Sequence, residues 1–377
     1  MSNNNLLRAK GLSFLNFKER FISKRDSFIE GIEKFKNATP REKRTIILDL
    51  IFNNAMYIII ALAIIIIAIR QPRFLSISSI VNIISLTASK IPIALGVGGC
   101  IVLAGTDISA GRIVGLTAVI SASLLQSATY VNSIFPGVSP LQVPVVIILA
   151  LLAGAAVGCV NGFFVAKFKL HPFIVTLSTQ LIVYGLILLY LMLGNNGGQT
   201  LSGLDSSYLD FVRGPLFRVG GIAIPRYVLF AVILTVIVWI IWNKTPFGKN
   251  MFAVGSNEEA ASVSGVNVFL TIVGVFVLAG ILYACGGFIE GARIASIASA
   301  TGLNYESDAI AACVIGGVSF VGGTGRIGGI VIGVLLLQII FVGLNFLSVD
   351  QNLLYIIKGL IILLACAVDM RKYLNKR

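Results

Sequence analysis

Few residues of this 377-residue sequence have the types and spacing of a catalytic or metal site. The single histidine, His171, precedes Pro172 and has no second histidine with which to hold a metal ion. Gly323, Gly325 and Gly328 fit G-x-G-x-x-G, but they lie between two apolar runs rather than between a strand and a helix. No G-x-x-x-x-G-K-[ST] sequence is present, so we expect no P-loop. The sequence therefore predicts a protein that is not an enzyme and carries no cofactor or metal.

The most distinctive polar segment lies within the long connection 243–267. We single out these residues in it: Gly255, Asn257, Glu258, Glu259, Ala260, Ala261 and Gly265. Asn257 is a good helix N-cap, the two glutamates favour the positive end of a helix, and Gly265 suits its end. We expect a slim helix of about two turns. It either enters a groove of another protein or only orders the loop, and both interpretations stay open on composition.

The composition determines which class of protein carries this segment. Hydrophobic residues make up 57% and charged residues 12%, about half the charge of a soluble domain. A soluble enzyme, a disordered chain and a disulfide scaffold are thereby excluded. The net charge of +13 would suggest nucleic acid, but residues 50–69 form an uncharged run long enough to cross a bilayer. The sequence predicts a polytopic membrane protein that binds no nucleic acid.

Apolar windows between breaking residues predict an all-α protein with about ten transmembrane helices. The predicted spans are 51–69, 79–103, 110–128, 141–165, 172–193, 225–242, 268–288, 307–321, 327–346 and 352–369. With the N-terminus inside, and with Arg112 and Arg226 at span ends counted with the segments they adjoin, 21 of the 29 Lys and Arg residues are cytoplasmic and 6 are external. Because basic residues favour the cytoplasmic side, both termini are predicted to be cytoplasmic.

The segments outside these spans differ in character. Residues 1–48 form a basic extension in which phenylalanines recur near helical spacing, typical of an amphipathic helix on an anionic membrane surface. A solvated cytoplasmic extension explains the same pattern equally well. Residues 49–370 hold the spans, 194–224 form a long external loop, and 371–377 form a basic cytoplasmic tail.

Several motifs carry a resemblance to a known family. Residues 259–265 read Glu-Ala-Ala-Ser-Val-Ser-Gly, and this Glu-Ala-Ala-x-x-x-Gly helix resembles the one in the main cytoplasmic loop of permease subunits of binding-protein-dependent ABC importers. The surroundings resemble the ribose/xylose/galactose branch, and most closely the galactose/methylgalactoside type. The matching stretches are 94–97, 105–111, 309–320 and 355–359. The similarity covers about residues 50–370 and does not extend to residues 1–45.

The resemblance implies a division of labour between subunits in a bacterial cytoplasmic (inner) membrane. A cytoplasmic ABC ATPase would supply the power stroke, a periplasmic or extracellular sugar-binding protein would deliver the substrate, and a second copy of the chain would complete the path. Glu258, Glu259, Ala260, Ala261 and Gly265 would then enter the ATPase groove, and Gly255 and Asn257 would shape the loop.

A path for a neutral monosaccharide needs hydroxyl and amide groups rather than fixed charge. The candidates in or near spans are Asn82, Ser85, Asn161, Thr176, Gln180 and Asn345. Hydrogen bonds between helices explain most such residues equally well. In the external loop, Arg213 and Arg218 either meet acidic residues of the binding protein or belong to an ordinary solvated loop.

The alternative function is a stand-alone, ion-coupled sugar transporter. It would need acidic residues deep in the spans, and the acidic residues near the membrane instead have basic residues close by. We expect Glu290 and Arg293, three residues apart, to pair, and Asp107 and Arg112 to pair at the start of the third span. A membrane enzyme acting on lipid-linked sugars is disfavoured, because no paired acids or nucleophile–base set is present.

Overall fold

The computed structural model describes residues 39, 42–43 and 55–374. The chain divides into two units, Met1–Ile58 and Ile59–Arg377. In the first, Thr39 and Glu42 form a reciprocal capping pair, with the Thr39 N–H 2.8 Å from the Glu42 carboxylate. The predicted amphipathic helix in residues 1–48 otherwise lies outside the described residues, as does the end of the basic tail.

The described residues form thirteen α-helices, one short 3₁₀ helix and two strands. In chain order they are α1 Ala55–Arg70, the 3₁₀ helix Pro72–Leu75, α2 Ile77–Val102, α3 Ala110–Leu124, α4 Val143–Phe168, α5 Pro172–Leu191, α6 Ser206–Arg213, β1 Pro215–Val219, β2 Ile222–Pro225, α7 Tyr227–Lys244, α8 Pro246–Ser256, α9 Glu258–Val263, α10 Val268–Ile294, α11 Tyr305–Ile315, α12 Ile327–Phe346 and α13 Gln351–Leu374.

Each of the ten predicted spans overlaps one helix, but the helices differ in length. In the described part of the chain, six are long and apolar enough to cross a membrane: α2, α4, α5, α7, α10 and α12. The 15 residues of α3 and the 11 residues of α11 rise only about 22 and 16 Å, against a hydrocarbon core of about 30 Å. The span count of ten is therefore not confirmed. The eighth predicted span, 307–321, is too long, because its helix ends at Ile315.

The centre of the bundle is α10, which packs against α2, α3 and α4. Its contact with α4 is made by glycines four residues apart. A methyl group at Gly158 would collide with the carbonyl of Phe276, and one at Gly154 with the carbonyl of Gly280. Such small residues let two helix backbones approach closely, which is how helices associate where both sides are apolar.

Two long helices each lead through a non-helical segment into a short helix. α2 continues through residues 103–109 into α3, and α10 continues through 295–304 into α11. The pairing is crosswise, because α3 packs on α10 while α11 packs on α2. The first turn of α3 meets the second connecting segment at Gly111 and Gly302, where a methyl group on either residue would collide with the carbonyl of the other.

Each non-helical segment has buried residues, Gly105, Asp107 and Ser109 in the first and Ile297 and Gly302 in the second, so polar groups there need partners inside the protein. Ile297 and Leu201 exchange two backbone hydrogen bonds of 2.8 Å, which ties segment 295–304 to the loop after α5. In the other segment the Ile108 N–H donates to the Thr176 hydroxyl at 3.1 Å. Part of the irregular backbone of both segments is thereby paired within the protein.

The predicted external loop 194–224 is more ordered than the sequence indicated. It contains α6 and an antiparallel hairpin of β1 and β2, so the chain is not purely α-helical. Gly220 and Gly221 form the two-residue turn, both with positive φ (+56° and +84°), as a hairpin of the native twist requires. The Tyr208 hydroxyl of α6 donates to the Phe288 carbonyl at 2.5 Å, which anchors α6 on α10.

The α4–α10 contact predicts a difference between two glycine substitutions. Gly158→Val should destabilise the fold by about 1–3 kcal/mol, because its branched side chain has no space beside Phe276. Gly185→Val on α5 is the matched control, since nothing lies within 4 Å of a Cβ there. Thermal unfolding of the detergent-purified chain measures the difference. Equal melting temperatures for the two variants would contradict the packing described here.

Candidate functional site

The segment Pro246–Gly265 forms two short helices at one end of the bundle, here called the α8–α9 surface. α8 was not predicted from the sequence, although Thr245 before Pro246 is a typical helix start. The Thr245 hydroxyl accepts from the Gly248 N–H at 3.3 Å. In α9 the Asn257 side chain accepts from the Ala260 N–H at 2.9 Å, and Gly265 follows with φ +85°. The predicted N-cap and glycine stop of α9 are thus confirmed.

The side chains of the α8–α9 surface divide into an inner and an outer set. Gly255 and Ala261 are buried, and a methyl group on Gly255 would collide with the carbonyl of Val102 at the end of α2. Glu259 and Ala260 are exposed, and Val263, which the sequence analysis did not select, is 91% exposed. The outer set is therefore the part of this surface available to another protein.

Two neighbouring segments hold the α8–α9 surface in place. Glu258 forms an ion pair with Lys169 in the turn between α4 and α5. The Gly323 N–H donates to the Val102 carbonyl at 2.8 Å, and Gly323 also lies against Ser256. Gly323 has φ +66°, so the formal G-x-G-x-x-G sequence contains a turn that packs against the α8–α9 surface rather than a nucleotide loop.

A cavity of about 360 Å³ lies beneath α9. Its walls come from the end of α2, the α4–α5 turn, α8 and α10, and include Cys100, Gly105, Lys169, His171 and Glu258. The single histidine caps α5 by accepting from the Phe173 N–H at 3.3 Å. The cavity therefore borders α9 at Glu258, whereas Ala261 of the same helix is buried in the protein.

Two of the predicted path residues are fully buried in a hydrogen-bond network. Asn161 of α4 donates to the Ser109 hydroxyl at 2.9 Å and accepts from the Thr179 hydroxyl at 2.6 Å. Ser109 in turn donates to Asp107 at 2.6 Å. Thr176, which receives the Ile108 N–H, holds the same 106–109 segment. In this arrangement Asn161 and Thr176 position the 106–109 segment, and their assignment to a path stays a prediction.

The other four predicted path residues lie nearer the surface of the chain. Asn82 and Asn345 are exposed, and Ser85 and Gln180 are half-buried. The Gln180 side-chain oxygen is itself buried and makes no hydrogen bond with the described residues. These four keep polar groups available, and their assignment to a path stays a prediction.

Three charged side chains form a cluster between α2 and α10. Glu290 is fully buried and lies 2.7 Å from the Lys90 ammonium and 2.5 Å from the Arg293 guanidinium. The Lys90 ammonium also lies 3.0 Å from the centre of the Tyr305 ring. The predicted Glu290–Arg293 pair is confirmed, and Lys90, whose partner the sequence did not reveal, completes it.

The predicted Asp107–Arg112 pair is wrong. Asp107 accepts from the N–H and hydroxyl of Ser109 at 2.9 and 2.6 Å. Arg112 instead donates to the Ser299 carbonyl at 3.2 Å and lies over the Tyr184 ring. The helical start of α3 directs Arg112 toward segment 295–304, whereas Asp107 folds back on its own turn.

Residues 79–366 match the permease family described as "Branched-chain amino acid transport system / permease component". The chain belongs to this family. Two similar relatives are the galactose/methyl galactoside import permease proteins MglC of Haemophilus influenzae and Escherichia coli K12. Both are 44% identical, over 87% and 85% of this chain and 97% and 95% of the relatives. The ribose import permease protein RbsC of Bacillus subtilis is 36% identical over 82% of this chain and 90% of its own length. No solved structure matches the chain.

The buried network around Asn161 in this permease predicts a stability effect. Asn161→Ala should destabilise the fold by about 1–3 kcal/mol, because the hydroxyls of Ser109 and Thr179 lose a buried partner. Asn82→Ala should leave stability unchanged, because Asn82 is exposed. Thermal unfolding in detergent measures both variants. An Asn161→Ala protein as stable as the wild type would show that the network does not hold segment 106–109.

Proposed function

We propose that the chain is the transmembrane permease subunit of a binding-protein-dependent ABC importer. It moves a monosaccharide of the galactose/methylgalactoside type into the cytoplasm, and a separate ATPase subunit hydrolyses ATP. The observation that carries this proposal is 44% identity to the MglC permeases along nearly their whole length. The family description names branched-chain amino acids, but the MglC and RbsC relatives are sugar import permeases, which favours a sugar.

The α8–α9 surface is the proposed site for the cytoplasmic ATPase. Glu259, Ala260 and Val263 are exposed on a slim helix that a groove can enclose. Gly255, Asn257, Ala261 and Gly265 shape and seat that helix, while Glu258 fastens it to Lys169. The exposed residues of α9 are thus free to contact the ATPase, while the buried Gly255 and Ala261 seat the surface on the bundle. This arrangement supports the proposal that motion of the ATPase is passed to the bundle through the α8–α9 surface.

The remaining subunits of the proposed importer contact other parts of the chain. A second copy of the chain completes the translocation path, with Asn82, Ser85, Gln180 and Asn345 as the lining residues that keep exposed or half-buried polar groups. The sugar-binding protein meets the end that carries α6 and the β-hairpin, where Arg213 and Arg218 are exposed.

We infer that this multi-pass protein of the bacterial cytoplasmic membrane has both termini in the cytoplasm. This orientation puts the α8–α9 surface on the side where ATP is available. It also assigns the basic segments 1–48 and 371–377 to the side on which basic residues are favoured.

The ion pairs of two carboxylates weigh against the alternative, an ion-coupled transporter, whereas the buried Asp107 has no ion pair within the described part of the chain. Glu290 is paired with both Lys90 and Arg293, and Asp308 lies 2.9 Å from the Lys358 ammonium. Carboxylates held by cations in this way are poorly suited to exchange protons during transport, because protonation would leave buried cations without a partner.

Reconstitution separates the two mechanisms. The purified chain alone in liposomes should take up no galactose, even with an imposed proton or sodium gradient. Uptake should require the ATPase subunit, ATP and the binding protein together. Radiolabelled galactose inside the vesicles is the measurement. Gradient-driven uptake by the chain alone would refute the proposal.

A charge reversal tests the α8–α9 surface. Glu259→Lys should leave membrane insertion and melting temperature unchanged, because Glu259 is exposed, yet abolish most ATP-driven uptake. Ser139→Lys is the control for an added exposed lysine, since Ser139 is exposed in the loop between α3 and α4; it changes the charge by one unit, and Glu259→Lys changes it by two. Uptake and copurification of the ATPase are measured for both. If Glu259→Lys retains the ATPase and transports normally, the docking assignment is incorrect.

A further inference from the structure

A cavity outside the proposed transport machinery has the shape and chemistry of a lipid site. It measures about 220 Å³ and lies between α4, α7 and α10, beneath α6. Its walls are apolar side chains, among them Ile147, Phe211, Phe230, Ile233, Cys285 and Phe288. The Phe211 ring contacts the Phe230 ring at 5.4 Å and the Phe288 ring at 6.4 Å between centroids, so aromatic faces form one end of the groove.

The positions of the wall residues along their helices give the depth of the groove. Phe230 and Leu234 follow the N-cap of α7 by four and eight residues, or about 6 and 12 Å. Ile147 lies about 6 Å below the start of α4, and Cys285 about 14 Å below the end of α10. The three helices agree, so the groove runs along the depth of one leaflet, at the α6 end of the bundle. This is the level that an acyl chain occupies.

A positive charge lies at the mouth of the groove. Arg226 is the N-cap of α7, one helical turn above Phe230, and the next charged residue on that helix is Lys244. Its guanidinium donates one hydrogen bond to the Asp210 carbonyl at 3.0 Å, which places it beside Phe211. A guanidinium at the end of an uncharged span lies where lipid phosphates lie.

The acidic residues near this arginine do not neutralise it. In the described part of the chain no carboxylate forms an ion pair with Arg226 or with Arg213, the exposed arginine at the end of α6. The nearby acid Asp205 caps α6 by accepting from Ser207, and Asp210 contributes its carbonyl. The guanidinium of Arg226 therefore keeps donors for an anion.

We propose that this groove holds one anionic phospholipid of the membrane, with an acyl chain against Phe211, Phe230 and Phe288 and the phosphate on Arg226. An acyl chain alone would fit any phospholipid, so the arginine provides the selectivity. A lipid bound here fills the space between α4, α7 and α10 on the side away from the α8–α9 surface.

Native mass spectrometry of the full chain, purified and delipidated in detergent, tests the headgroup preference. Phosphatidylglycerol should bind about fivefold more tightly than phosphatidylcholine with the same acyl chains. Arg226→Gln should remove that preference, Arg226→Lys should retain most of it, and Arg218→Gln on β1 is the control with the same loss of charge elsewhere. Equal binding of the two lipids by the wild type, or equal effects of Arg226→Gln and Arg218→Gln, would overturn the proposal.

Cys285 reports whether the lipid lies in this groove. With Cys159 and Cys366 replaced by serine, the remaining cysteines Cys100 and Cys313 are buried, so a thiol-reactive probe should modify Cys285. Added phosphatidylglycerol should slow this reaction several-fold, and Ile147→Trp, which fills the groove, should weaken binding of both lipids. If Cys285 is protected without added lipid whenever the chain self-associates, a second copy rather than a lipid covers the groove, and the proposal is wrong. Lipid binding that leaves Cys285 fully reactive would likewise contradict this location.

Discussion

Backbone polar groups need hydrogen-bond partners wherever packed helices exclude water, and this chain has two non-helical segments between packed helices, 103–109 and 295–304. The buried parts of both segments therefore depend on partners from neighbouring elements. α10 makes this possible, because its glycine contacts with α4 bring backbones close while its other faces cover α2 and α3. The hydrogen bonds of Asn161 and Thr176, and the backbone exchange between Leu201 and Ile297, satisfy what remains. The rest of the bundle is arranged around these two enclosed segments.

The same enclosure connects the α8–α9 surface to the interior. Gly255 lies directly on the carbonyl of Val102, the last residue of α2, and Gly323 donates to that carbonyl. Beyond Val102 the chain enters segment 103–109, which Asn161 and Thr176 hold against α4 and α5. A displacement of α8 toward α2 would therefore press on the end of α2. A continuous set of packed and hydrogen-bonded groups thus connects the α8–α9 surface to segment 103–109, and such a set can carry a displacement from one to the other.

Much of this architecture follows from local sequence signals, and the remainder depends on tertiary contacts. Asn257 and Gly265 define α9 because capping and positive φ are local preferences, and Thr245-Pro246 and Gly220-Gly221 carried equally local signals for α8 and the hairpin. Hydropathy located the helices but overestimated the length of α11, because the apolar residues among 316–321 continue past the helix end at Ile315. The partners of Arg112 and Lys90 lie on other elements, so sequence spacing could not identify them. Asp107 is held by Ser109 two residues further on, a local turn that the predicted pairing with Arg112 overlooked.

The charges inside the bundle bear on the energy source. The buried Glu290 carboxylate lies between two half-buried cations, and its protonation would leave Lys90 and Arg293 without their counter-ion. Asp308 is held by Lys358 in the same manner. Such groups stabilise one arrangement of helices and resist proton exchange. These pairs agree with the proposal that the conformational energy comes from a partner protein, for which the exposed face of α9, seated on the end of α2, is the proposed contact.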